Sequence, residues 1–205
     1  MTKVTQAHID ARTEEILGAA MKTFACKGVV DTTMQEIAAE AGLSAGAIYR
    51  YYPSKEHLLR AVFADCTQQN QATFEQAVAG TDSPCEAIGD VGRAAWAKLK
   101  SEGSQEELIL SLESTLAAVR QPEELGAERR EMLNALIEML EGLIQEAQAS
   151  GEIDVGVDGR ALATTLLACH LGSGLLLLQL GDSVDTDAVF SVLMRMLPGL
   201  APQAT

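Results

Sequence analysis

The 205-residue sequence predicts an all-α protein of about nine helices that opens with a helix-turn-helix. Three observations predict it. Val, Ile and Thr nowhere alternate with polar residues over a strand length. Apolar residues recur instead at steps of three and four, the spacing of one helix face. Gly, Pro and Ser/Asp clusters then cut the chain at helical intervals.

Each element has its own signal. Ile16, Ala20 and Phe24 step by four beside Leu17 and Met21, and Gly28 ends that first helix as a C-terminal cap. Thr33 opens a short second helix to Glu40, with Glu36 placed to complete a capping box. After the turn Ala41-Gly42-Leu43, Ser44 starts a third helix, which Pro53-Ser54 breaks. Ser54 caps a longer fourth helix, with Leu58, Val62 and Cys66 on one line and Leu59 and Phe63 on the next. The loop from Gly80 to Pro84 leads to helices over about 84–101, 105–119, 122–149, 158–180 and 185–197. Their breaks fall at Gly103, Gln121-Pro122, Ser150-Gly151 and Gly181-Asp182-Ser183.

Composition excludes several classes. Hydrophobic residues make up 47%, so the chain folds. A formal charge of -14 argues against generic adhesion to nucleic acid or to an anionic membrane. The charge is uneven: residues 1–60 hold 7 Lys+Arg and 7 Asp+Glu, and residues 61–205 hold 8 against 22. Cys26, Cys66, Cys85 and Cys169 form no CxxC pair, so no metal, cofactor or disulfide framework is expected. The polar N-terminus has no apolar signal core, which points to a reducing cytoplasm. Ala161 to Leu180 carries no formal charge and is long enough to span a bilayer. Its scattered Thr164, Thr165, His170, Ser173 and Gln179, and the lack of a basic flank, favour a buried helix and no membrane. No phosphate loop, GxSxG, HExxH or partnered Cys–His pair is present, so an enzyme is not expected.

The window AGLSAGAIYRYYPSK, Ala41 to Lys55, holds no acidic residue although Glu40 and Glu56 flank it. Residues 33–52 have the layout of a helix-turn-helix, whose second helix enters the DNA major groove N-terminal end first. That end reads Ser44-Ala45-Gly46-Ala47. Gly46 destabilises a helix by ~1 kcal/mol relative to alanine, which close approach to phosphate or base edges would explain. Ile48 can anchor the helix, while most of Tyr49, Arg50 and Tyr51 must face out. Lys55 begins the next helix, where free N–H groups already favour an anion. A carboxylate here would face a phosphate wall. A helical hairpin whose tyrosines merely pack is the other reading of the pattern.

The stretch TTMQEIAAEAGLSAGAIYRYYPSKEHLL, Thr32 to Leu59, resembles the N-terminal signature of TetR-family transcriptional regulators almost without a gap. With Ala20, Phe24 and Gly28 of the lead-in helix, the resemblance covers about residues 10–60. It implies a DNA-binding domain over 1–53, a ligand-sensing and dimerisation domain over 54–205, and a homodimer that binds palindromic operator DNA as a repressor and leaves it when a small-molecule effector binds. On it, Thr33 and Gln35 match phosphate- or base-contacting sites, Ser44, Ala45, Gly46 and Ala47 the reading end, and Tyr49 and Tyr51 aromatic contacts. Lys55 matches a phosphate contact and Tyr52 an inward-packing aromatic. Side chains at 45–47 are too small for bidentate base contacts, so readout falls to Gln35, Tyr49, Arg50 and DNA shape.

In the body, the last two helices are expected to form a four-helix dimer interface, with His170, Gly174 and Leu178 in it. Phe74, Trp96, Glu113 and Met139 are expected at an effector pocket, although Glu113 can instead reach the surface. Arg129 and Arg130 read as part of a solvated acidic face over 123–131. The helix from Ser54 is expected to be the one element linking reader to sensor.

Overall fold

Gly28 decides where the first helix stops. It takes φ +80° and donates its N–H to Phe24 O at 2.8 Å, a left-handed cap that a side chain would strain. This closes α1 (Gln6–Lys27). The computed structural model describes residues 6–101, 103–120 and 126–201, which hold nine α-helices and no strand.

Thr33 caps α2 (Met34–Glu40) with the full capping box: its hydroxyl accepts from Glu36 N, and the Glu36 carboxylate accepts from Thr33 N. Gly42, at φ +65°, makes the turn, and Leu43 N returns to Ala38 O at 2.7 Å. The next helix, α3 (Ala45–Ile48), has only four residues. Ile48, fully buried, pins it to the core, a contact that contributes ~2 kcal/mol. Ser54 caps α4 (Lys55–Val78). Ile16, Phe24, Ile37, Ile48, Leu58, Leu59 and Val62 form the core of this N-terminal unit, and Leu110 from farther along the chain completes it.

The body comprises α5 (Pro84–Lys98), α6 (Ser104–Arg120), α7 (Gly126–Ala149), α8 (Gly159–Leu180) and α9 (Thr186–Met196). The break expected at Gln121-Pro122 and the acids of 123–125 lie outside the described residues. Ser83 caps α5, and Glu152 accepts from Ser83 Oγ at 2.5 Å and Cys85 N at 3.3 Å, tying that cap to the α7–α8 connection. Ile88, Ile144, Ile153 and Ala163 centre one core; Trp96, Leu99 and Phe190 form a second.

Two glycines mark close approaches between elements. A Cβ on Gly92 of α5 would lie 2.7 Å from the Phe190 ring, and one on Gly174 of α8 would lie 2.6 Å from Leu108 Cδ2 on α6. The crossing expected at Gly174 is therefore inside the chain and not between copies. The long apolar helix also departs from the expectation of a buried helix. Its Gly159–Ser183 stretch has mean hydropathy 1.8, yet only 22% of its most apolar window is buried. Ala163, Leu166, Ser173 and Gly174 face inward, whereas Leu171, Leu175, Leu176 and Leu180 are exposed. One face packs and the other is open.

Candidate functional site

The N-terminal unit presents an exposed surface built by α2, α3 and the start of α4. Gln35, Ser44, Ala45, Gly46, Tyr49 and Arg50 are exposed, and Ala47 and Tyr51 are half-buried. Ser44 makes no capping bond, so its hydroxyl is available to another group. A Cβ on Gly46 would meet nothing within 4 Å. Nothing in this fold requires a glycine there. Tyr51 and Tyr52 both pack against the core, and burial raises the Tyr52 phenol above its usual value. Thr33 is exposed, but its hydroxyl also donates to Glu36 Oε2 at 2.9 Å. Acids at the edge are neutralised: Lys22 pairs with Glu40 at 2.6 Å, and Lys27 pairs with Glu36. The Lys27 ammonium, with the Thr33 N–H and hydroxyl, holds the Glu36 carboxyl down at about 2.

Lys55 is placed differently from its expected part. Its ammonium donates to Val29 O at 2.7 Å, Val30 O at 2.8 Å and Thr32 O at 2.9 Å. An ammonium has three donors, and all three are spent on the α1–α2 loop. Here Lys55 is a staple beneath the reading unit, and a phosphate would have to displace one of these carbonyls.

The body holds a cavity of about 270 Å³ walled by α4 to α9. Phe74, Trp96 and Met139 line it together. Glu113 does not line it. Its carboxylate lies over Gly28, 3.6 Å from where a Cβ would stand, at the seam between α6 and α1. His170 does line it and packs edge-on against Trp96 with ring centroids 4.9 Å apart, so it belongs to the cavity and not to an outer interface. Burial, helped by the Lys98 charge, pushes the His170 imidazole down to about 4, so it is neutral near pH 7. Burial also drives the Cys66 thiol in the wall up to about 11, which makes it unreactive.

Sequence reasoning missed the cavity's polar side chains. Lys98 and Glu107 pair at 3.0 Å in its wall. Arg129 lines it too, donating from Nη2 to Ser111 Oγ at 2.8 Å and Thr115 Oγ1 at 3.2 Å. Burial lowers the Arg129 pKa from its usual value. A solvated face was the wrong reading of Arg129. The signal was present: Arg129, Met132, Leu133, Leu136 and Leu140 lie at helical spacing, and all five line the cavity.

The family model for bacterial regulatory proteins of the tetR family matches residues 16–62. That match lies in the N-terminal unit, and it supports a TetR-family transcriptional regulator of the helix-turn-helix type. YfiR of Bacillus subtilis, an HTH-type transcriptional regulator, is 43% identical over 60 residues, a match that spans 29% of each chain. The transcriptional repressor KstR2 of Mycolicibacterium smegmatis is 22% identical over 165 residues, 80% of each chain. Among solved structures, FadR of Bacillus subtilis in complex with stearoyl-CoA superposes with a TM-score of 0.78 at 24% identity, covering 92% of this chain and 99% of that one. The last likeness carries the fold beyond the N-terminal signature.

The apolar face this TetR-family regulator leaves open is not the one expected. Gly174 is buried and Leu178 half-buried, while Leu171, Leu175, Leu176 and Leu180 of α8 are exposed, as are Val189, Val192 and Met196 of α9. The open stripe is turned by one residue, about 100° of helix, from the expected set His170, Gly174 and Leu178.

Proposed function

We propose that this TetR-family regulator is a homodimeric repressor that binds a palindromic operator and is released when a small molecule fills its cavity. The reading unit comprises residues 1–53 with the first two turns of α4, which complete its core, and the rest of the chain senses and dimerises. Ser44, Ala45, Gly46 and Ala47 lead into the major groove, and Gln35, Tyr49 and Arg50 read base edges and DNA shape. Thr33 and Tyr51 hold phosphate. The open α8–α9 face meets its symmetry mate, which sets the two reading helices about 34–36 Å apart. That dimer covers the apolar helix and suits a soluble protein of the cytoplasm.

One observation carries the switch. Leu110 is at once a core residue of the N-terminal unit and a wall residue of the cavity. The expected link was α4 alone, and α6 is a second one, touching α1 through Leu110 and Glu113. A ligand that moves α6 therefore moves the floor on which α1 rests. It must bind the DNA-incompetent arrangement more tightly, and operator must then weaken ligand binding by the same factor. Calorimetry of an effector with and without operator measures this. Equal affinities in both titrations refute the coupling.

A further inference from the structure

Three polar atoms in the cavity residues have no hydrogen-bond partner among the described residues: Arg129 Nε, Trp96 Nε1 and His170 Nδ1. Two of these can only donate. Buried donors without acceptors are costly, so a ligand that accepts from them is favoured here.

The charges point the same way. Lys98, Glu107 and Arg129 are the formally charged side chains in the wall. Lys98 and Glu107 cancel each other at 3.0 Å. Arg129 touches only the neutral hydroxyls of Ser111 and Thr115, and no carboxylate among the described residues pairs with it. A protein of net charge -14 thus surrounds an apolar chamber with one wall cation, Arg129, that no carboxylate among the described residues compensates. A half-buried guanidinium without a counter-charge is unfavourable, and a ligand that supplies the charge recovers that energy.

We propose that the cavity takes a small anionic amphiphile, a carboxylic acid with an apolar body, whose carboxylate sits on the Arg129 guanidinium. The proposal rests on reading the cavity as the effector site. The free Nε–H is the donor for the first contact, and a neighbouring Nη–H gives the second tooth of a bidentate fork. Leu136, Met139 and Leu166 surround the apolar body. Trp96 Nε1 remains to donate to a polar substituent. A monoanion matches the one wall cation without a carboxylate partner among the described residues, whereas a phosphate dianion would leave a charge buried. At about 270 Å³ the chamber falls just below the ~300–1,000 Å³ of sites for drug-sized ligands, which sets the body at medium-chain length.

The protein carries its own reporter, because Trp96 is the only tryptophan in the sequence and lines the cavity. Octanoate, octanol and octylamine, matched in body and different in head, are titrated into the full-length protein at pH 7.5 while Trp96 emission is followed. Octanoate should bind at least tenfold more tightly than octanol, and octylamine more weakly than both. In Arg129→Gln, octanoate should fall to the level of octanol, with octanol itself changed less than twofold. Arg129→Lys keeps the charge and should keep the preference for the acid. The wild-type comparison decides without any variant: octanol or octylamine binding as tightly as octanoate overturns the anion preference and leaves the cavity reading standing. No change in Trp96 emission from any of the three overturns the cavity reading, and the proposal with it.

Discussion

Replacing Lys55 by methionine separates two roles for this residue. The substitution keeps the apolar stem and removes three donors, to Val29 O, Val30 O and Thr32 O. Val30 is 85% exposed, so its carbonyl rehydrates at little cost. The other two bonds are partly buried. At the low end for hydrogen bonds to a charged group, two such bonds come to about 3 kcal/mol. For a chain of this size that lowers Tm by ~6–12 °C. Thermal unfolding followed by circular dichroism gives the first number, and operator affinity across a salt series gives the second. The expected result is a large drop in Tm, with any loss of DNA affinity tracking loss of folded protein and the salt slope unchanged. A variant that melts like wild type but whose salt slope falls by about one unit would show Lys55 to be a phosphate ligand, and the staple argument would be wrong.

Three further outcomes are expected. Gly46→Ala should stabilise the reading unit by up to ~1 kcal/mol and weaken operator binding, while Tyr49→Ala should change which operator variants are preferred; undiminished binding by Gly46→Ala in an anisotropy titration removes the close-approach explanation. Leu175→Glu should give folded monomers in light scattering, whereas Gly174→Ala should remain dimeric but lose ~1–3 kcal/mol of stability through its contact with Leu108; the reverse pattern would restore Gly174 to the interface. His170 contributes to a pH dependence. Its folded value of about 4 lies below the ordinary 6.5, so the unfolded chain takes up a proton the folded one refuses. That stability is complete above about 6.5 and is lost as pH falls toward 4, by up to ~3 kcal/mol. The surroundings are Trp96 and the Lys98–Glu107 pair. Urea midpoints at pH 7.5 and pH 5 should differ less for His170→Leu than for wild type, and equal differences exclude His170.

What was legible in the sequence was local. The capping box at Thr33, the left-handed cap at Gly28, the Ser54 cap and the helix breaks all rest on residues within a few positions of each other, where backbone chemistry dictates the outcome. Ile48 as the anchor of the reading helix was legible for the same reason. What stayed hidden depends on which helix lies opposite. Glu113, between Leu112 and Leu116, is expected at the pocket, but the helix facing it is α1, with Gly28 beneath the carboxylate. Gly174 and His170 were assigned outward because a lone helix does not say which of its faces meets solvent. Leu171 and Leu175, one position away, hold the open face instead. Arg129 was read by its charge when its spacing to Met132, Leu133 and Leu136 was the better guide. Lys55 was read by its charge as well, and its three carbonyl partners come from a loop more than twenty residues away.

The membership of the N-terminal core bears on how this protein can be re-engineered. Reader modules are attractive parts for building chimeric sensors, in which one protein's reader is joined to another's sensor. A graft made after residue 53 would leave Leu58, Leu59 and Val62 behind and split the reader's own core. A junction beyond Val62 keeps those three, and it coincides with the end of the stretch that the family model matches. Leu110 still comes from the far side of any such cut. A transplanted reader would therefore arrive with an unfilled socket, and the recipient's α6 must offer a leucine-sized side chain at the same height. Compatibility between donor and recipient can be screened at that one position before any graft is made.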